Sequence, residues 1–328
     1  MTTRVIPAQS ATEVAAAARE AADLLRQGQC AALPTETVYG LACDALNARA
    51  ATGVFAVKER PAFDPLIVHV AGTPWIERLT AAQGTVLALA QRLAEEFWPG
   101  PLTMVLPAAE EGDEVAVPDL VRSGLPTVAL RSSAHPVMRA VIESLGGPVA
   151  APSANRFGRI SPVAAQHVLE ELDGRIPLVV DGGPCRHGLE STIVQVEDGR
   201  LVLLRPGPVT REDLERFAPV ERATGKTPVA APGMLESHYA PRTPLKILGE
   251  QEGLPADAGE SGLLAFGSGG GFAVVEELPS DPVAAAPLFF SALRRLDASD
   301  VRRIYARPIP ESGLGMALMD RLRRAAHD

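Results

Sequence analysis

The alternation of hydrophobic and polar residues predicts helices and strands that follow one another along most of the chain. Val14, Ala18, Ala21 and Leu25 recur at helical spacing and predict a first helix over 12–28, with Thr12 as its N-cap. Short apolar runs between turn residues predict strands instead. By the same criteria we predict helices over 48–57, 84–97, 136–145, 163–172 and 210–217, and strands over 30–33, 66–70, 102–106, 127–131, 148–151, 177–180, 191–196 and 201–204.

The order of these elements predicts an α/β fold built on a mixed, twisted sheet. Helices alternate with strands, but the last two strands flank Asp198 and Gly199 and form a predicted hairpin, which requires antiparallel pairing. Residues 1–217 therefore form one predicted domain.

The rest of the chain predicts a linker and a second, smaller Rossmann-like α/β domain. Residues 218–244 are rich in Pro, Ala and Thr and have weak periodicity, which is typical of a linker. Residues 245–328 resume the alternation. Strands are predicted there over 245–248, 262–266, 273–275 and 302–306, and helices over 282–296 and 315–326.

Composition narrows the class of protein. No run of about 18 apolar residues and no signal peptide is present, which predicts a cytoplasmic protein without a membrane span. Cys30, Cys43 and Cys185 form neither a CxxC pair nor a zinc set, so we expect reduced thiols and no metal ligands among them. The net charge of -9 argues against a broad RNA-binding face but leaves a local basic cleft open.

Lys58 stands out among the basic residues. The chain has 31 lysines and arginines, yet Lys58 is the sole lysine before Lys226. An ammonium that a planar guanidinium cannot replace would explain this, although a lysine retained by chance explains it equally well.

Polar residues that regular structure does not require lie in four turn-rich segments. In the first segment, Thr35 follows a predicted strand, where hydroxyl groups can bind a ligand or simply form a polar turn. In the second, Lys58 and Arg60 suit a polyphosphate, but they would also stabilise a helix C-terminus. His69, on an apolar strand just beyond them, is typical of a packed histidine with satisfied hydrogen bonds.

The third and fourth segments also admit two interpretations. Ser153 and Asn155 follow an apolar strand, and we predict Ser161 as the N-cap of the next helix with Pro162 at its first position. A helix N-terminus can also bind an anion. The glycines of 181–192 let backbone amides approach a ligand, but they also suit a flexible hairpin loop; Arg205 ends the following strand.

Several common nucleotide and hydrolase motifs are absent. The sequence has no GxxxxGK[ST] loop and no Ser-His-Asp arrangement, and the run over 267–271 lacks nucleotide-loop spacing and predicts a flexible turn. Nothing points to a covalent nucleophile.

Eight ordered motifs resemble a known family. They are P-T-E-T-V-Y-G-L at 34–41, K-E-R-P at 58–61, D-P-L-I-V-H at 64–69, W-P-G-P-L-T at 98–103, A-A-P-S-A-N at 150–155, D-G-G at 181–183, G-L-E-S-T at 188–192 and L-R-P-G at 204–207. Over 10–215 the chain resembles the YrdC domain. With the segment 231–241, which is similar to the linker of longer members, the whole chain resembles the Sua5-type threonylcarbamoyl-AMP synthases.

The resemblance implies a YrdC-like domain with a deep, positively lined cavity. It assigns L-threonine to Thr35, His69, Thr127, Arg131 and Ser191. It assigns ATP to Lys58, Arg60, Ser123, Ser153, Asn155, Ser161, Arg205, His238 and Tyr239. Lys58 and Arg60 are the implied catalytic residues, and His238 and Tyr239 are expected to cover the opening as a lid.

The implied activity is that of a nucleotidyltransferase. L-Threonine, bicarbonate or CO2, and ATP with Mg2+ would give threonylcarbamoyl-AMP and pyrophosphate, for the threonylcarbamoyladenosine modification of tRNA. The implied partners are a downstream threonylcarbamoyl transferase complex and, through a weak contact, tRNA. Two alternatives stay open: a YrdC-like module that binds double-stranded RNA, and a carbamoyl-transfer enzyme related to hydrogenase maturation proteins.

Overall fold

The computed structural model describes residues 2–110, 115–223, 238–249 and 252–327. The helices are α1 (Ala11–Arg26), α2 (Ala48–Lys58), α3 (Pro74–Leu79), α4 (Gly84–Phe97), α5 (Asp119–Arg122), α6 (Pro136–Leu145), α7 (Ala165–Leu172), α8 (Arg211–Glu215), α9 (Pro282–Ala298) and α10 (Gly315–Ala325). The strands are β1 (Arg4–Pro7), β2 (Ala31–Leu33), β3 (Gly40–Asp44), β4 (Ile67–His69), β5 (Leu102–Pro107), β6 (Thr127–Arg131), β7 (Val149–Ala150), β8 (Leu178–Asp181), β9 (Thr192–Glu197), β10 (Arg200–Arg205), β11 (Val220–Arg222), β12 (Leu245–Ile247), β13 (Gly262–Phe266), β14 (Val274–Leu278) and β15 (Ile304–Ala306).

The first unit is built on a mixed sheet of eleven strands, in the order β1-β8-β2-β3-β7-β4-β6-β5-β9-β10-β11. Strands β4 and β6 pair in parallel, whereas β5 and β6 pair antiparallel and β9 and β10 form the predicted hairpin. The predicted mixed α/β sheet is therefore confirmed. Three strands, β1, β3 and β11, were not predicted.

Alternating side chains along the strands pack against helices on both faces of the sheet. In β2, Ala31 and Leu33 join the core under α1 and α6, whereas Ala32 between them joins the larger core on the other face. The alternation follows from the strand geometry, in which successive side chains point to opposite faces.

Two predicted N-caps are wrong. Helix α1 is capped by Ser10, not Thr12: the Ser10 hydroxyl accepts a hydrogen bond from the Glu13 amide at 3.3 Å, and the Glu13 carboxylate accepts one from the Ser10 amide at 2.9 Å. This reciprocal pair is a capping box, and it outweighs a single hydroxyl. Helix α7 begins at Ala165, so Ser161 is not its N-cap; the Ser161 hydroxyl instead donates to the Glu190 carboxylate.

The second unit is a parallel sheet of four strands, in the order β12-β15-β13-β14, with α9 and α10 beside it. A second, smaller α/β unit is therefore present, as predicted. The predicted linker over 218–244 includes a strand, because β11 pairs in parallel with β10. Residues 224–237 of that linker lie outside the described residues.

The two units share one hydrophobic core. Phe289 and Phe290 of α9 belong to the same buried cluster as Val54 and Leu89 of the first unit. The loop before β9 approaches α9 so closely that a Cβ on Gly188 would lie 2.5 Å from the Cα of Pro287. Gly188 also has a φ of 65°, which favours glycine. The contact fixes the loop of the candidate site against the second unit.

Candidate functional site

Strand ends and loops of the first unit surround one cavity. Nine of the fourteen site residues predicted from the sequence line it. Its walls are formed by Thr35, Thr37, Val38, Gly40, Arg60, Ile67, His69, Arg131, Ala151, Pro152, Ser153, Glu190, Ser191, Arg205, His238 and Tyr239.

Thr35 shapes the loop between β2 and β3. Its hydroxyl accepts hydrogen bonds from the amides of Thr37 and Val38, at 3.1 and 3.2 Å, and donates to the Val38 carbonyl at 2.6 Å. A hydroxyl that bonds the backbone just after it stabilises a tight turn. The turn places the Thr37 hydroxyl 2.8 Å from that of Thr35 and directs it towards Arg131.

Arg131, at the end of β6, is held by an ion pair. Its Nη2 lies 2.6 Å from Oε1 of Glu36, its Nη1 donates to the Thr37 hydroxyl at 2.8 Å, and its Nε donates to the Gly100 carbonyl at 3.2 Å. Burial alone would raise the pKa of Glu36, but Arg131 and the Ser133 hydroxyl outweigh it and lower that pKa to about 2. The Arg131 guanidinium is therefore already oriented before a ligand binds. Glu36 was missed as a site residue, although it lies within the first motif.

His69, at the end of β4, is 2% exposed and lines the same cavity. Burial, and after it the Arg131 cation, lower its pKa to about 3, so the imidazole is neutral at pH 7. Its Nδ1 is buried and makes no hydrogen bond within the described part of the chain. A packed histidine with satisfied hydrogen bonds does not fit this geometry, whereas a buried nitrogen that pairs with a ligand does.

Arg60 is aligned by backbone carbonyls just beyond α2. Its guanidinium donates to the carbonyls of Asp64 and Pro65, at 3.0 and 2.8 Å, and lies 2.9 Å from the Asp64 carboxylate without aligning a hydrogen bond to it. Burial raises the pKa of Asp64 despite the adjacent Arg60. The site thus contains a second buried cation beside a carboxylate that sequence reasoning also missed.

Lys58 lies behind the cavity wall and does not line the cavity. Its ammonium, at the end of α2, donates to the carbonyls of Ser153 and Asn155. Burial, and after it the Arg60 cation, lower its pKa well below the usual range. Lys58 therefore ties α2 to the loop that carries Ser153.

Ser191 and Arg205 form another wall. The Ser191 hydroxyl lies 2.8 Å from that of Thr103 on β5, and Arg205 donates to both the Ser191 hydroxyl and its carbonyl at 3.1 Å. Strand β5, through Thr103, and strand β10, through Arg205, therefore hold the Ser191 hydroxyl beside the Arg205 guanidinium.

His238 and Tyr239 lie between the two units and line the cavity. Their ring centroids are 4.2 Å apart; His238 meets Phe157 edge-on, and Tyr239 lies 5.6 Å from Phe290 of α9. The backbone of this segment bonds to both units, because the His238 amide donates to the Arg324 carbonyl and the Ala240 amide to that of Gly158.

Five predicted residues do not line the cavity. Three of them lie behind residues that line the cavity. Asn155 follows Ser153 by two residues and accepts a hydrogen bond from Lys58 at its carbonyl, and the Ser161 hydroxyl donates to Glu190. Thr127 begins β6, four residues from Arg131 at its other end, and Ser123 caps α5. The structure brings neither of these two into the walls, although the Ser123 hydroxyl is buried without a partner in the described residues.

Known proteins resemble this chain over its whole length. Residues 23–207 match the family described as "Telomere recombination", and residues 209–327 match "Threonylcarbamoyl-AMP synthase, C-terminal domain". The threonylcarbamoyl-AMP synthase of Pyrococcus abyssi is 39% identical and covers 94% of this chain and 93% of its own length. That of Bacillus subtilis is also 39% identical and covers 94% and 92%.

Solved structures agree with these matches. The crystal structure of Pyrococcus abyssi Sua5 complexed with L-threonine has a TM-score of 0.87 and 34% identity, and covers 99% of this chain and 98% of its own. Escherichia coli YciO, at a TM-score of 0.52 and 18% identity, shares the fold over 62% of this chain and 96% of its own. In the part of the chain that the structure describes, no helix combines the length and apolarity that crossing a membrane needs. The chain belongs to the Sua5/YrdC family, and within it to the Sua5-type proteins that carry the additional C-terminal domain.

Proposed function

We propose that this protein is a threonylcarbamoyl-AMP synthase, which joins L-threonine, a carboxyl group from bicarbonate or CO2, and the AMP moiety of ATP. The observation that carries the proposal is a single cavity that combines neutral His69, oriented Arg131 and the buried cations Arg60 and Arg205. Relatives of this name cover more than nine-tenths of the chain.

Threonine is held, in this proposal, by Arg131, His69, Ser191 and the loop of Thr35. The guanidinium of Arg131 suits a carboxylate, because its planar fork can donate two parallel hydrogen bonds. The open nitrogen of His69 suits the amine or hydroxyl of the amino acid. The relative from Pyrococcus abyssi was solved as a complex with L-threonine, which supports this ligand for the cavity.

ATP is held by Arg60, Arg205, Ser153 and the residues just behind them, Lys58 among them. The threonine amine takes up CO2 to give a carbamate, and a carbamate oxygen attacks the α-phosphorus while pyrophosphate leaves. Negative charge builds on the phosphates, so positioning and cationic stabilisation do most of the work. No covalent nucleophile is needed.

Enclosure protects the intermediates. A carbamate loses CO2 and an acyl adenylate hydrolyses, so a closed cavity that limits water favours the product. The residues of the cavity wall that belong to the segment between the two units are His238 and Tyr239, both buried. We propose that this pair is the lid.

Magnesium enters with ATP as part of the substrate. Glu190 lines the cavity, and Glu36 and Asp64 lie beside its arginines; each of the three carboxylates is within 3.0 Å of an arginine nitrogen. We therefore propose that phosphate oxygens and water hold the ion, a mode that Mg2+ commonly adopts in nucleotide sites.

The product serves tRNA modification in this proposal. We place the protein in the cytoplasm, upstream of a threonylcarbamoyl transferase complex, with no more than a weak contact to tRNA. The net charge of -9 is consistent with a small-molecule enzyme that does not depend on a broad nucleic-acid face.

Product analysis tests the proposal. Purified protein is incubated with ATP, Mg2+, labelled bicarbonate and labelled threonine, and the adenylate is separated and its mass determined. We expect one nucleotide that carries both labels, and pyrophosphate in equal amount. A nucleotide without the bicarbonate label contradicts the carbamate step, and RNA binding without any labelled nucleotide supports the RNA-binding alternative.

A further inference from the structure

A buried arginine from the second unit reaches the wall of the cavity. Arg321 lies on α10 and its side chain is 0% exposed. Its Nε donates to Oε2 of Glu190 at 2.9 Å, and its Nη1 donates to the Pro206 carbonyl at 2.8 Å. The arginine therefore spans the boundary between the units and bonds to the residues next to Ser191 and Arg205.

Glu190, its partner, lines the cavity. Its Oε1 accepts the hydroxyl of Ser161 and its Oε2 accepts Arg321, so both oxygens are engaged by neighbours. A carboxylate in a wall that receives a triphosphate would repel it unless a cation compensated the charge. Arg321 supplies that cation from outside the cavity.

The same guanidinium lies under the lid. Its central carbon is 5.4 Å from the ring centroid of Tyr239, in the range of a cation–π contact, and its Nη2 makes no hydrogen bond within the described residues. Helix α10 also accepts the His238 amide at the Arg324 carbonyl, at 3.2 Å. One helix of the second unit thus contacts both Glu190 and the segment that covers the cavity.

We propose that Arg321 is a positioning residue for ATP: it compensates the charge of Glu190 and holds that carboxylate on Ser161, so that the wall accepts a triphosphate. The inference rests on the proposed function and extends it. The second unit then supplies part of the electrostatics of the nucleotide site as well as a support for the lid.

The test compares four variants in an assay of threonine-dependent pyrophosphate release. Arg321→Met leaves Glu190 charged and unpaired, so we expect the KM for ATP to rise about tenfold and the KM for threonine to change less than about twofold. In Glu190→Gln/Arg321→Met the charge of Glu190 is removed as well, and Asp320, which Arg321 also contacts at 3.0 Å, keeps its ion pair with Arg324. The KM for ATP should therefore return to within about threefold of that of Glu190→Gln alone.

The matched control is Arg323→Met on the same helix. Arg323 forms an exposed ion pair with Glu311, and its loss should leave both KM values unchanged. A double variant no better than Arg321→Met, or equal shifts in both KM values, contradicts charge compensation and supports a merely structural role.

A failure to fold and a failure of the proposed function are both distinguishable from a failure of this inference. If Arg321→Met does not fold, Glu190→Gln is compared with the double variant, and a tenfold difference between their KM values for ATP contradicts the proposal. If neither methionine variant folds, Arg321→Lys replaces them. A KM for ATP about tenfold above that of wild type is then the contradicting result. If wild-type protein shows no threonine-dependent release, the proposed function fails first. If it does and Arg321→Met keeps its KM for ATP, only this inference fails.

Discussion

Three carboxylates at the cavity are each buried beside an arginine. Glu36 pairs with Arg131, Asp64 lies against Arg60, and Glu190 pairs with Arg321. Burying two charges costs much of what their attraction returns, so such pairs are weak evidence for stability. Their geometry is the more informative feature, because Glu36 and Glu190 each accept a hydrogen bond from their arginine and so fix its direction before any ligand binds.

The Glu36–Arg131 pair predicts a dependence of stability on pH. The pKa of Glu36 is lowered from 4.5 to about 2 in the folded protein. Its contribution, about 3 kcal/mol, is present in full above the unfolded pKa and is lost as the pH falls from about 4.5 towards about 2. We expect urea denaturation to show that wild type exceeds Glu36→Gln in unfolding free energy at pH 7, with the difference shrinking across this range.

Glu215→Gln is the control for this series. Glu215 forms an exposed pair with Arg211, and such pairs contribute about 0–1 kcal/mol. Its difference from wild type should stay nearly constant with pH. A constant difference for Glu36→Gln as well would show that the carboxylate is not held as described.

Substitution of Lys58 is expected to lower activity as well as stability. Lys58→Met removes the ammonium but keeps most of the side-chain volume, so the cost in stability is about 1–3 kcal/mol for each of the two carbonyls left without a donor. We expect threonine-dependent pyrophosphate release to fall about 100-fold. Lys246→Met, at an exposed lysine of the second unit paired with Glu252, should keep wild-type turnover. Normal turnover in Lys58→Met would remove Lys58 from the proposed mechanism.

At the scale of elements, the loop before β9 packs closely against helix α9 of the second unit. A Cβ on Gly188 would lie 2.5 Å from the Pro287 Cα and 2.6 Å from the Ala286 carbonyl oxygen. Both atoms are backbone, so a side chain at 188 requires the loop or the helix to move.

Gly188→Ala is therefore expected to destabilise the protein by about 3 kcal/mol, from backbone strain and the displaced helix together. Gly199→Ala in the β9–β10 turn is the matched control, because its φ is 71° but nothing lies within 4 Å of the new Cβ. It should cost about 1 kcal/mol by strain alone. Equal losses of unfolding free energy for the two substitutions in urea denaturation would contradict close packing of the loop against α9.

Periodicity predicted long amphipathic helices well and short elements poorly. Helices α1 and α4 carry clear apolar faces and were predicted within two residues at each end. Strand β3 is buried along nearly its whole length, so no alternation marks it, and it directly follows the polar turn of Thr35. The α7 start was misplaced because the hydroxyl of Ser161 bonds a carboxylate 29 residues away, which no local pattern encodes.

At the scale of the whole molecule, one core joins two units that the sequence predicts as separate domains. The motifs located most of the cavity, because several of them lie at strand ends, and these strand ends converge. Arg321 had no such signal: it lies on an amphipathic helix of the second unit and meets Glu190 131 residues away. Partners of this kind depend on how the units dock, and a sequence pattern does not contain that information.

The most direct test of the account measures pyrophosphate release by purified protein with ATP, Mg2+ and bicarbonate, with L-threonine, L-serine or no amino acid. We expect release that depends on threonine, that is weaker with serine, which lacks the methyl group, and that requires bicarbonate. Release that is independent of the amino acid, or no release at all, would contradict the assignment of this cavity to threonine and ATP.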